Sequence, residues 1–577
     1  MFKKRMNYLG KRLPDRLSAH KTEYLLFFLA LAVYVSGIGW GLPYATGPDR
    51  VHVWSFDDIS PLPALTEGYQ TFVQAGPNPW LAYPLMHHFV LVVAYVPYLA
   101  WLMLTGQFAS PSATYPYGMQ DPVASLQALT IIARLVSCLM AAGVVLVAYR
   151  IGLTLWGKKE GIFASLVCLS SYQMLYYSRT GNLEIPLLFW TSLALLVYAN
   201  ILMSGISLKR AVWLAVFAAM AVATKDQAAG IFLLLPLILI PILVKEWRAK
   251  KTPLWSPVLG FLAAGCAVYA LCSGLALDPK RYFAHVNFIL NTNREHIGAL
   301  YTRWYPSTLS GMTDLTGAFL QSLVWVLGPL IIAAACLALA HSGWREPRKL
   351  AFLLPAASYL LTMILPMHYM YLRYVMPVAF ILAVFSGRGM ALGLRLAGQS
   401  RLAMSLGVIL MLAWPLGLSL DLDLQMQNDS RYKAEKWLSA NMAKNSSIGY
   451  FGSVKAMPRL RADARLISLP EGASSAFDYL QENGPDFVII LPDWTSAPGM
   501  QHSSYCPDDI YEKLNDGSLG YTLDARFETK YFIEQRLLDY PSVNPPVRIF
   551  MKAGIPPPVA LEAYQNSSTP ESSRRIQ

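Results

Sequence analysis

The chain has 577 residues, 55% of them hydrophobic and 14% charged, with a mean hydropathy of +0.37. A soluble domain carries about 25% charged residues, so these figures exclude a simple soluble enzyme and describe a polytopic membrane protein with some soluble mass. The net charge of +12 gives no case for nucleic acid, because the Lys and Arg residues sit in short clusters between apolar runs, as in cytoplasmic loops.

Residues 1–22 are basic (Lys3, Lys4, Arg5, Lys11, Arg12), and the apolar run that follows lacks a small-residue cleavage site. This predicts a retained first span with the N-terminus in the cytoplasm. A span needs about 20 mostly apolar residues. Candidates lie at 23–42, 128–150, 160–177, 185–204, 210–224, 228–244, 255–275, 316–340, 350–366, 374–388 and 402–420. Another apolar run, Leu85 to Leu104, is ambiguous. Counting it would put Lys158-Lys159, the 245–251 cluster and Arg345 to Lys349 outside. Leaving it out places them, with Lys209-Arg210, on the cytoplasmic side. The expectation is therefore about eleven spans plus a juxtamembrane helix along the outer interface.

The expected fold is a polytopic α-helical membrane protein over 23–420, with a first extracytoplasmic loop at 43–127. A small extracytoplasmic α/β domain follows over 421–555, with a Pro- and Ser-rich disordered tail at 556–577. Within 421–555, residues 431–441 and 476–482 read as helices, and 447–451, 465–469 and 486–491 as short strands. Of the six cysteines only Cys506 lies in this part, and no CxxC or zinc pattern occurs. The chain reads as a multi-pass inner-membrane protein.

This topology puts most charges at span ends on one, outer, face. Asp57-Asp58 follows the first span, where an acidic pair is costly unless it pairs, binds a cation or does chemistry; a solvated loop start is the bland alternative. Arg179, Asn182 and Glu184 lie in a short outer turn, readable either as a capped turn or as a second acidic site. Lys225-Asp226 joins two spans with almost no loop; Lys225 either anchors a helix end or meets a lipid phosphate. His368 and Tyr369 precede Arg373 and Tyr374 at the start of a span, as an interfacial belt or as a guanidinium clamp on phosphate. The loop from Asp278 to Tyr305 mixes bases, amides and aromatics. Such a cavity suits a membrane-borne anionic donor: a carboxylate takes the acceptor proton and cations stabilise the departing phosphate.

In order, Phe56-Asp57-Asp58, Tyr83-Pro84-Leu85 (with His87 just after), Ser178-Arg179 to Glu184-Ile185-Pro186, Thr224-Lys225, Leu372-Arg373-Tyr374-Val375-Met376-Pro377 and Asn428-Asp429-Ser430-Arg431 with Trp437 resemble the GT-C membrane glycosyltransferases. The similarity is to the protein O-mannosyltransferase and aminoarabinose transferase-like branch, over about residues 23–455. The resemblance implies a polyprenyl-phosphate sugar donor, an extracytoplasmic acceptor and inversion by single displacement. It also implies Asp57 or Asp58 as catalytic base, Glu184 at the second acidic position, and Lys225 and Arg373 near the donor phosphate. Tyr83, His87, Arg179, Asn182, Asp226, His368 and Tyr374 complete the expected binding set. No obligatory metal is expected; an Asp-Asp pair can hold a divalent cation but makes an incomplete shell. The competing class is a transporter or flippase of a lipid-linked anion, which would call for inverted repeats and mid-membrane charges that the sequence does not display. An inactive scaffold is a third possibility.

Overall fold

The computed structural model describes residues 20–73, 76, 78–250, 255–292, 305–342, 346–396, 401–496, 499–530, 532–533 and 543–554. The basic N-terminal residues, Asn293 to Trp304 of the Asp278–Tyr305 loop, and the tail beyond 554 lie outside them. The principal helices are α1 (Lys21–Val35), α2 (Leu62–Phe72), α3 (Met86–Leu104), α4 (Pro122–Leu155), α5 (Lys158–Ser170), α6 (Tyr172–Ser178), α7 (Glu184–Ser204), α8 (Leu208–Val222), α9 (Pro236–Lys250), α10 (Trp255–Cys272), α11 (Pro279–Asn287), α12 (Leu309–Leu327), α13 (Pro329–Ser342), α14 (Met376–Leu396), α15 (Arg401–Gln427) and α16 (Ser430–Asn441). The chain divides into two compact units. One comprises Met1–Ile38, Asp58–Pro97 and Ile131–Leu422; the other comprises Gly39–Asp57, Tyr98–Thr130 and Asp423–Gln577.

Among the described residues seven helices are long and apolar enough to cross a membrane, or nine if each of two bent pairs counts once. Every span candidate read from the sequence overlaps a helix, although residues 36–42 of the first lie beyond the end of α1, and 160–177 and 316–340 are each broken between two helices. Three of them, however, fall on α1, α5 and α8, which have only 15, 13 and 15 residues. The expected count of about eleven is therefore not reached on length. One bent pair, α12 and α13, turns by 107° at Gly328-Pro329. Gly328 has φ +84°, and a Cβ there would press on Trp414, while proline cannot continue the preceding helix. The α3 helix passes the same test of length and composition, and Val93, Val96, Trp101 and Leu104 on it are exposed.

Among the described residues the most enclosed span is Leu372–Arg395, which α14 makes up for the most part and of which 89% is buried over its apolar stretch. The α14 helix packs against α5 and α13. A Cβ at Gly387 would meet the Glu160 carbonyl of α5, and one at Gly389 the Ala334 carbonyl of α13. Small residues let apolar helices approach backbone to backbone, which is how contact is gained where lipid removes the hydrophobic drive. At one end Arg388 donates to Glu160 at 3.0 Å, fixing α14 to α5. The α7 and α8 helices form an antiparallel hairpin through Gly205, and α10 packs on α8.

The second unit contains an α/β fold. Strands β1 (Ser447–Tyr450), β2 (Arg465–Ser468), β3 (Phe487–Ile490), β4 (Tyr521–Phe527) and β5 (Val547–Lys552) form one sheet in the order β2-β1-β3-β5-β4. The β1 pairings with β2 and β3 are parallel; β5 is antiparallel to both β3 and β4. All four β3 residues are buried because both faces are covered. Phe487 and Ile489 join Ala434 and Leu438 of α16 on one face. Val488 and Ile490 join Leu480 of α17 (Ala473–Asn483) and Ile510 and Leu514 of α18 (Asp508–Asn515) on the other. The helices and strands read near 431–491 are all present; α18, β4 and β5 come in addition.

This unit also holds a fully buried ion pair. The Arg431 Nε and Nη2 donate to Asp429 at 2.9 and 2.7 Å, both side chains being 0% exposed. Asp429 also accepts from Trp40 Nε1 at 3.1 Å and from the Asn544 backbone N–H at 2.9 Å. The guanidinium lies 3.9 Å from the Trp54 ring centroid, so the motif around Asp429 clamps residues 40–54 to the sheet domain.

Candidate active site

Glu184 opens α7 and is buried, an anion at a helix N-terminus where the backbone dipole favours it. Its Oε1 receives Lys225 Nζ at 2.6 Å and stands 3.5 Å from Arg373 Nε. The Lys225, Arg373 and Glu184 side chains are 10%, 16% and 7% exposed, so all three charges are largely withdrawn from water. Lys225 comes from the break after α8 and Arg373 from a single helical turn (Leu372–Val375) leading into α14. Three segments far apart in sequence thus deliver their charges to one oxygen. Tyrosines wall the cluster. Lys225 Nζ lies 5.9 Å from the ring centroids of both Tyr83 and Tyr374, and the Arg373 guanidinium 4.7 Å from that of Tyr371. Cations over aromatic faces hold their direction without losing their charge.

The acidic pair after the first span splits in two. Asp58 is buried: its Oδ1 accepts from the Ser60 N–H (2.8 Å) and Oγ (2.7 Å), and its Oδ2 from the Gly181 N–H (2.9 Å). The Ile59 N–H donates back to the Gly181 carbonyl at 3.2 Å. A Cβ at Gly181 would collide with Asp58 and Ser60, so only glycine fits there. This lock fixes the turn that leads into Glu184. Asp57 is exposed and takes a left-handed backbone, φ +58°, uncommon for a residue other than glycine.

The other expected residues fall in several places. Arg179 is buried and donates to the carbonyls of Val33 (3.0 Å) and Tyr34 (3.3 Å), closing the C-terminal turn of α1. Asn182 is buried in the same turn. His87 lies in the first turn of α3, fully buried, and neither ring nitrogen has a hydrogen-bond partner among the described residues. His368 has φ +61°, and its carbonyl accepts from the Tyr305 N–H at 2.8 Å. Asp226, next to Lys225, pairs with His285 of α11: Nε2 to Oδ2 is 3.0 Å.

His285 belongs to a support that the sequence reading did not pick out. Its Nδ1 donates to the Leu81 carbonyl at 2.7 Å, and one turn earlier Arg281 pairs with buried Glu67 of α2 at 2.5 Å. The His285 pair thus braces the turn carrying Lys225, while the Arg281 pair, on the same face of α11, ties that helix to α2. Burial disfavours the charged imidazole of His285. The hydrogen bond and charge of Asp226 outweigh it, and the pKa is raised above the ordinary histidine value. The available signal was faint: Arg281 and His285 share a face at i, i+4, and Glu67 stands in a helix otherwise free of charge.

Among the described residues no group of three or more His, Cys, Asp or Glu side chains comes together as a metal-ligand set. The Asp58 oxygens are already engaged by three protein donors, which leaves the acidic pair a poor cation cage.

No family model matches the sequence, and no curated protein does. Among solved structures the chain is similar to ArnT from Cupriavidus metallidurans bound to undecaprenyl phosphate, with 14% identity and a TM-score of 0.46 over 92% of this chain and 98% of that one. It is also similar to an oligosaccharyltransferase of Archaeoglobus fulgidus in complex with zinc and sulfate (12%, 0.42, covering 80% and 67%). A third is the arabinofuranosyltransferase AftD from mycobacteria (15%, 0.40, covering 92% of this chain and 42% of that one).

Proposed function

We propose that this chain is an integral-membrane glycosyltransferase that moves a sugar from a polyprenyl-phosphate donor to an extracytoplasmic acceptor with inversion. The observation that carries the reading is the convergence of Lys225 and Arg373 on Glu184 within a tyrosine wall. Two cations withdrawn from water and preset by a carboxylate form an anion receptor, and a phosphate monoester or diester is the anion that an ammonium and a planar guanidinium grip together. The donor class comes from the motif resemblance.

In the reaction an acceptor hydroxyl attacks the anomeric carbon while the bond from that carbon to the phosphate oxygen breaks. The polyprenyl phosphate leaves with the electron pair, and Lys225 and Arg373 balance the charge that grows on it. The acceptor proton passes to a carboxylate, assigned here to Asp57. Asp58, with both oxygens engaged, is a positioning residue that holds the turn before Glu184. Glu184 is assigned to presetting the two cations. The outer face of the inner membrane is the proposed location of the site, with the N-terminus in the cytoplasm.

The test uses purified protein in proteoliposomes with a panel of radiolabelled polyprenyl-phosphate sugars, following release of free lipid phosphate. Acceptor-dependent release that disappears in Asp57→Asn and persists in chelator supports the assignment. Movement of labelled lipid between leaflets without release would replace it with a flippase.

A further inference from the structure

At the opposite end of the α7–α8 hairpin from Glu184 and Lys225 lies a second polar feature that the proposed reaction does not use. A cavity of about 520 Å³ opens between the last turns of α7 and the first turns of α8, lined by Asn200, Lys209, Arg210, Trp213 and Phe217 among others. Asn200 is sixteen residues along α7 from Glu184, which at 1.5 Å per residue is about 24 Å, close to the thickness of a bilayer core. Arg210 Nη1 donates to the carbonyls of Ser204 (2.9 Å) and Gly205 (2.7 Å), capping the end of α7 and holding the guanidinium at the rim. Lys209 is exposed. Neither cation is paired with a carboxylate among the described residues. Glu246 of α9 lies against Gly205 and is not part of the lining.

Below the cations the lining turns aromatic. Phe217 stacks between Trp213 (centroids 5.3 Å apart) and Trp190 (6.4 Å), and Trp213 is 45% exposed. We propose that this cavity is a binding site for an anionic phospholipid. The headgroup phosphate would lie at Lys209 and Arg210, and the glycerol and upper acyl chain along Trp213 and Phe217. Three features favour a lipid over a free anion. The cavity is of ligand size, which exceeds a lone phosphate; its charge is confined to one rim; and the remainder is an aromatic shelf on an apolar helix pair. Basic pockets between spanning helices on the side carrying the positive loops are suited to such headgroups. The inference rests on the chain being a membrane protein and not on its being a transferase.

The experiment is native mass spectrometry and thermal unfolding of the full chain in detergent, titrated with phosphatidylglycerol, with phosphatidylcholine of the same acyl chains, or with inorganic phosphate. Phosphatidylglycerol should bind saturably and raise the unfolding midpoint, and the other two should not. Lys209→Gln should weaken that binding about fivefold, and Lys209→Glu by more. Trp213→Ala should weaken it too, whereas Lys158→Gln, an exposed lysine elsewhere, should leave it unchanged. Equal binding of both lipids, an equal effect of phosphate alone, or undiminished phosphatidylglycerol binding in Lys209→Glu would each overturn the proposal. Because every readout is lipid binding, failure here leaves the transferase reading standing, and the reverse also holds.

Discussion

Two of the buried ion clusters in this chain each set an arginine against a carboxylate and differ in finish. In the α/β unit Asp429 and Arg431 are wholly enclosed, joined by two charge-assisted bonds, and supplemented by Trp40, Asn544 and the Trp54 ring. In the helical unit Glu184 offers one oxygen to both Lys225 and Arg373, and each cation keeps part of its surface open. The first arrangement answers its own desolvation cost and reads as architecture. The second sets two cations beside one shared carboxylate oxygen, and in the function proposed above they receive a further anion. Burial alone does not separate the two, and neither does a second cation, since Glu160 also draws both Arg388 and Arg395; what sets the Glu184 cluster apart is the tyrosine wall around its cations.

The largest expected effect separates turnover from stability. Asp57→Asn should cut transfer by about 100- to 10,000-fold, the usual contribution of a general base, with the unfolding midpoint and donor affinity unchanged. Asp58→Asn, by contrast, should lower the midpoint, since it disturbs the bonds to Ser60 and Gly181. Arg431→Met should strand Asp429 and cost about 3–5 kcal/mol of stability in the sheet domain, measurable by chemical denaturation of that transition. Arg373→Ala should weaken donor binding by about tenfold or more in a titration with polyprenyl phosphate, charge-assisted bonds contributing roughly 1.5–3 kcal/mol each.

The smallest effect concerns pH. His285 has a raised pKa through Asp226, so its contribution to stability is present below the ordinary histidine pKa near 6.5 and is lost as pH rises through the raised value. Wild-type protein should therefore lose thermal stability across that upper window, and His285→Gln should show a flatter profile there. Identical profiles would remove the brace on the Lys225 turn.

Much of this was legible before the structure. Phe487 to Ile490 is continuous and apolar because both faces of β3 are covered, so it stood out as a strand. The β4 strand, Tyr521–Phe527, did not. It lies at the sheet edge, four of its residues after Tyr521 are exposed, and Asp524 and Arg526 give it the composition of a loop. Glu184, Lys225 and Arg373 were visible as charges at the ends of apolar runs, where their cost demands a reason. That they meet at one oxygen is tertiary information carried by no local pattern. The same holds for Arg179, which closes the carbonyls of α1, and for the pairing of His285 with Asp226 across 59 residues.

The most direct measurement is the affinity of the purified chain for polyprenyl phosphate, comparing wild type with a Lys225→Gln, Glu184→Gln double variant. That pair keeps a hydrogen bond and removes both charges, so the fold should survive, which an unchanged unfolding midpoint would verify. Retained folding with affinity reduced about tenfold or more is the predicted result. Wild-type affinity in the same well-folded variant would contradict the assignment of this cluster to the donor phosphate.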